Sequence, residues 1–191
     1  MKQVNNTIKF VAAGTAASLC AATGAVAEDI DVSGAYVGVG VSSFSGVLGE
    51  YAYGVTGPAS FTGFAGYNFV NGDMVYGAEV GMSSDTIYES YGGPYGLTGL
   101  LDVKARLGKT FGSTFLYGTL GYTQTDYAYY YDVEGTGTGW SIGGGFETEM
   151  TDSMFIGVDV TSRTFTDDTS SDDKIMESPI TSIEIRTGFR F

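Results

Sequence analysis

The chain has 191 residues, which suits one domain of moderate size. Its 30 Gly, 14 Tyr and 12 Phe against 3 Pro favour strands over helices. A formal charge of -13 excludes nucleic acid as a partner, since phosphate binding needs clustered Lys and Arg, and the absence of histidine removes the commonest general base.

Residues 1–27 read as a cleaved signal peptide. Lys2 and Lys9 make a basic start, Phe10 to Ala22 is an apolar, small-residue run, and Ala25, Val26 and Ala27 fit a small-x-small cleavage site before Glu28. The run is too rich in Ala, Gly and Thr for a spanning helix, which needs about 20 predominantly apolar residues. Cys20, the only cysteine, lies in this segment after Leu19 rather than after a small residue, and is read as ordinary signal sequence. Residues 28–191 form the folded domain, and its first stretch, Glu28 to Val32, reads as acidic and loose.

Strand-like segments of about ten residues follow, the length a tilted strand needs to cross a membrane. They fall at 33–43, 59–69, 74–84, 99–108, 114–125, 138–148, 154–164 and 180–191. The connections alternate. Val70–Asp73, Lys109–Ser113 and Glu149–Ser153 are tight, the first carrying an Asn-Gly hairpin signal, whereas 44–58, 85–98, 126–137 and 165–179 are long. Eight such segments with short turns at one end and long loops at the other describe an all-β, antiparallel up-and-down transmembrane β-barrel.

Side-chain alternation tests this reading, because a strand sends successive residues to opposite faces. Val37, Val39 and Val41 share a face, as do Tyr76, Ala78, Val80 and Met82; Leu101, Val103, Ala105 and Leu107; Trp140, Ile142 and Phe146; Ile156, Val158 and Val160; and Ile183, Ile185, Phe189 and Phe191. The opposite face collects Glu79, Asp102, Glu147, Asp159 and Glu184 with Lys104, Arg106, Arg163, Arg186 and Arg190. This balanced set is expected to form an ion network inside the barrel, since buried charges must be paired. Phe64 and Tyr117 fall inward by the same parity if Tyr67 and Leu120 face out. Inward glycines such as Gly38, Gly40 and Gly157 leave room that the long Lys and Arg side chains are expected to fill.

The signal peptide, the eight alternating segments, the Gly66–Phe69 run and the terminal Phe191 resemble the small outer-membrane β-barrel superfamily that includes the OmpA transmembrane domain, OmpX and the Opa proteins. The resemblance implies a Gram-negative outer-membrane protein whose Phe189 and Phe191 are read by the outer-membrane assembly machinery, with short turns in the periplasm and long loops outside. Nothing follows the eighth strand in this sequence, so the peptidoglycan-binding domain of OmpA itself is not expected.

The resemblance bears on chemistry as well. Small-barrel lipid A acyltransferases and deacylases and omptin proteases rely on histidine, which this chain lacks, so no catalytic residue, cofactor or metal is assigned. The four long loops carry ten net negative charges, the third adding Tyr127, Tyr129, Tyr130 and Tyr131 and the fourth Asp167, Asp168, Asp172 and Asp173. Tyrosine suits contact surfaces because it joins an apolar body to a polar tip. The acidic run has carboxylates for calcium but no ordered ligand spacing, and a solvated loop is the favoured reading. The expectation is a monomeric, non-enzymatic barrel in contact with outer-membrane lipid and lipopolysaccharide and with host or neighbouring-cell surfaces. The alternatives are a low-conductance channel and, below it, a lipid-modifying enzyme.

Overall fold

The computed structural model describes residues 30–48, 53–56, 59–84, 86–90, 93–129, 133–167 and 179–191. The expected signal peptide, Cys20 and the cleavage point lie outside them. The described residues include ten strands: β1 Gly34–Leu48, β2 Tyr53–Thr56, β3 Ser60–Asn71, β4 Met74–Ser83, β5 Thr86–Ser90, β6 Gly93–Phe111, β7 Thr114–Tyr129, β8 Val133–Thr151, β9 Met154–Asp167 and β10 Ile180–Arg190. Eight of them, in the order β1, β3, β4, β6, β7, β8, β9 and β10, pair antiparallel with their neighbours, and β10 pairs back to β1 from Tyr36↔Arg190 to Ser45↔Thr181. The sheet closes, so no edge among these strands is left to lipid. Short β2 and β5 add hairpin arms to β1 and β6.

The strands run further than hydropathy alternation marks them. β6 begins at Gly93 rather than near 99, and β7 and β8 remain paired out to Tyr129↔Val133. Alternation tracks the part of the wall beside lipid, whereas the hydrogen-bond ladder continues past it. Much of the sequence expected as the second and third long loops is therefore paired strand. At the other end the turns are tight, and Gly72, at φ 61°, supplies the left-handed conformation between Asn71 and Met74.

The outer face carries an apolar belt: Val39, Met82, Leu107, Leu120, Ile142 and Ile185 are all about 60% exposed. An exposed belt of this kind is untenable in water and is what a bilayer requires. Among the described residues no helix is long and apolar enough to cross a membrane; the crossing is made by strands. Tyr67, Phe69, Tyr76 and Phe189 stand exposed towards the turn end, with Phe69 stacked on Tyr76, and Tyr122 meets Trp140 edge-on towards the loops. These are the two interfacial girdles.

Candidate functional site: a salt-bridged lumen

Strand parity places all ten predicted charges on the inner face, nine of them buried and Glu184 partly so. They do not form one undivided cluster. Glu79 is the most heavily coordinated: its carboxylate lies 3.0 Å from Lys104 Nζ, 3.5 Å from Arg106 Nη1 and 2.5 Å from Arg186 Nη2, and accepts a hydrogen bond from the Tyr36 hydroxyl at 2.9 Å. Glu147 takes Arg106 Nη2 at 2.6 Å and Arg190 Nη2 at 2.9 Å, with Arg186 Nε at 3.6 Å. Asp159 bridges the group at 3.8 Å from Lys104 and 3.7 Å from Arg186, and accepts from the Tyr117 hydroxyl at 3.1 Å.

Nearer the loops, Asp102 and Arg163 form a separate bidentate pair, with Nη2 and Nε 2.6 and 3.1 Å from the carboxylate oxygens, and Arg163 also donates to Ser182 at 2.7 Å. Glu184 sits at the margin, 3.9 Å from Arg186 and accepting from the Ser42 hydroxyl at 3.2 Å. At the opposite margin Glu149, absent from the parity set, lies 3.5 Å from Arg190.

Aromatic rings fill much of the remaining space. The Arg186 guanidinium carbon lies 3.7 Å from the Phe64 ring centroid, Arg190 4.4 Å from Phe155, and Arg106 4.0 Å from Tyr117 and 5.0 Å from Tyr36. Such stacking is worth up to about 2 kcal/mol when desolvated. Tyr36, Phe64 and Phe155 also pack on one another with centroids 6.2–6.3 Å apart. The room left by inward glycines is taken largely by these rings and by carboxylates, with the Lys104 stem at Gly121: a Cβ at Gly38 would meet the Phe64 ring, one at Gly188 the Phe155 ring, and one at Gly40 the Glu184 carboxylate. Sequence reasoning placed Phe64 and Tyr117 inward but missed Phe115 and Phe155. The only signal for those two was parity against Leu116 and Ile156.

An apolar tier stands at each end of this polar middle. Towards the loops, Phe44, Leu100, Phe165 and Ile180 are inward and buried, with Arg163 5.8 Å from the Phe44 centroid. Towards the turns, Val32, Val75, Phe115 and Tyr117 form a buried cluster with Ile30 packed on it. The expectation that Glu28 to Val32 is loose fails for its described part: Val32 is fully buried, and Ile30 N donates to the Gly112 carbonyl at 3.1 Å. Ile30 and Val32 alternate with Asp29, Asp31 and Ser33, but two apolar residues are too short a run to show that this side is buried.

Phe189 and Phe191 lie exposed on the outer face, and Phe191 N donates to the Ala35 carbonyl at 2.9 Å. Tyr127, Tyr129 and Asp167 fall at the loop ends of β7 and β9, where only the backbone is described. Tyr130, Tyr131, Asp168, Asp172 and Asp173 lie outside the described residues. Among the described residues no group of three or more His, Cys, Asp or Glu could hold a metal ion.

A closed barrel with a lipid-facing exterior and a charged, filled interior defines an integral outer-membrane β-barrel protein. The chain belongs to the outer membrane protein beta-barrel domain family, whose model matches residues 12–191. Among solved structures it is similar to Neisserial surface protein A (16% identity, TM-score 0.58, covering 83% of this chain and 98% of that one). It is also similar to Ail, the attachment invasion locus protein of Yersinia pestis (14%, 0.52, 83% and 99%), and to AlkL in lipid bilayers (10%, 0.52, 88% and 95%). At these identities the likeness is one of fold. No curated protein matches the sequence.

Proposed function

We propose that the protein is a non-enzymatic, closed-lumen barrel that acts in envelope integrity and surface interaction through its loop end. The observation that carries this reading is the filled interior: a polar middle whose carboxylates are held by Lys and Arg, between two apolar tiers. An eight-stranded barrel is only wide enough for side chains to fill, and conduction would require both the ion pairs and the apolar tiers to part. Carboxylates held by two or three cations are poor general bases, which together with the lack of histidine disfavours catalysis.

The comparison proteins include a surface protein and an attachment protein, the latter solved with the heparin analogue sucrose octasulfate. Surface contact fits that company, but a sulfated ligand does not fit this chain. Its loops carry ten net negative charges, and five of its cations face the lumen. A polyanion would be repelled, so the partner is a neutral or cationic surface met by the Tyr-rich third loop and the acidic fourth. Shortening 168–178 or 130–132 should abolish cell adhesion or raise envelope sensitivity while the barrel still shifts on a gel between unheated and boiled samples. Unchanged adhesion and sensitivity in both variants would contradict the proposal.

A further inference from the structure

We propose that Ile30–Ser33 is a built-in plug, turned into the turn-end mouth of the barrel on Gly34, which closes the lumen to water and ions from that side. Three observations converge on it. Gly34 has φ 99°, a left-handed conformation at the start of β1, and a Cβ there would run into the Phe191 carbonyl, so only glycine lets the chain leave the wall at this point and fold inward. Val32 is completely buried against Val75, Phe115 and Tyr117, which line the mouth from β4 and β7. The backbone is tied down on two sides: Asn68 Nδ2 donates to the Val32 carbonyl at 3.2 Å, and Ile30 N donates to the Gly112 carbonyl in the β6–β7 turn at 3.1 Å.

The segment also holds its own shape. Ser33 N donates to Asp31 Oδ1 at 2.9 Å, and the Ser33 side chain, followed by this backbone bond, holds the Asp31 carboxyl below its usual value. The wall of the barrel is complete without these residues, because β1 begins at Gly34 and pairs with β3 from Gly34 and with β10 from Tyr36. Ile30–Ser33 is thus an addition to the mouth rather than a stave, and the plug is independent of what the loops contact.

The test uses thiol accessibility in the folded protein, with Cys20→Ser leaving a cysteine-free background. Thr110→Cys reports the inner wall at the turn end of β6 and Ser141→Cys the wall opposite Arg163, nearer the loops than Glu147, both positions being buried. In detergent micelles, a small cationic methanethiosulfonate should react slowly with both. Adding Val32→Asp should speed labelling at position 110 by about tenfold or more, as expected when one buried apolar anchor is lost, and leave position 141 unchanged; Val32→Ala should give a smaller rise in the same direction. The gel heat shift verifies that each variant is folded, and Val32→Ala serves should Val32→Asp fail to fold. Equal labelling at position 110 with and without the Val32 change would overturn the plug, and so would an equal rise at position 141, which marks loosening of the whole barrel. Neither result would bear on adhesion through the loops, which is assayed separately.

Discussion

Glu79 holds three cations and a hydroxyl, with Lys104, Arg106, Arg186 and Tyr36 converging on its two oxygens. Replacing it by Gln leaves three buried cations short of a counter-charge. Removing one partner from a buried pair costs about 3–5 kcal/mol, and Glu79→Gln should lower unfolding stability in lipid vesicles by that order. Glu184→Gln should cost under about 1 kcal/mol, because Glu184 is partly exposed and its nearest cation is 3.9 Å away. Equal losses for the two would mean that the network is not centred where the distances place it. The ten charges were readable because a charge on a period-2 strand whose other face is apolar has only one side to occupy. The rings were harder to read: Phe and Tyr serve on either face of a membrane strand, outward in a girdle like Phe69 and Tyr76 or inward over a glycine like Phe64 and Phe155.

Each strand carries a lipid side and a lumen side, and the two respond oppositely to charge. Ile185 stands 62% exposed midway along β10, between Glu184 and Arg186 on the inner face. Ile185→Lys should cost about 2–4 kcal/mol if that exposure is to hydrocarbon, whereas a surface site in water would tolerate it within about 0.5 kcal/mol. Urea titration of vesicle-refolded protein separates the two. The end of the same strand carries the closure: Arg190 N donates to the Ser153 carbonyl and Phe191 N to the Ala35 carbonyl, tying β10 to its neighbours on both sides. Deleting Phe191 removes an exposed girdle ring and one of those bonds, and should reduce outer-membrane insertion more than shortening any loop. Normal amounts of heat-shifting protein in outer-membrane fractions would refute that. Strand number and pairing order were legible because turn chemistry and alternation agree; strand length was not, since nothing apolar marks where the ladder stops.

In the whole molecule these features add up to a barrel occupied by its own side chains, with apolar residues at both ends of a paired ionic middle and acidic loop sequence beyond. The location in the outer membrane follows from the family and the lipid-facing wall together. Function was legible only in outline. The charge balance of the interior and the acidity of the loops can be counted, but a contact surface is defined by the arrangement of residues such as Tyr130 and Asp172, which periodicity does not specify. The turn-end closure was missed because it depends on one glycine torsion and one valine rather than on any repeat. The claim on which the rest depends is that the interior is shut. Planar-bilayer recording of the refolded protein tests it most directly: the structure predicts no current steps at any applied voltage the bilayer withstands, and reproducible stepwise conductance from the unmodified protein would contradict it.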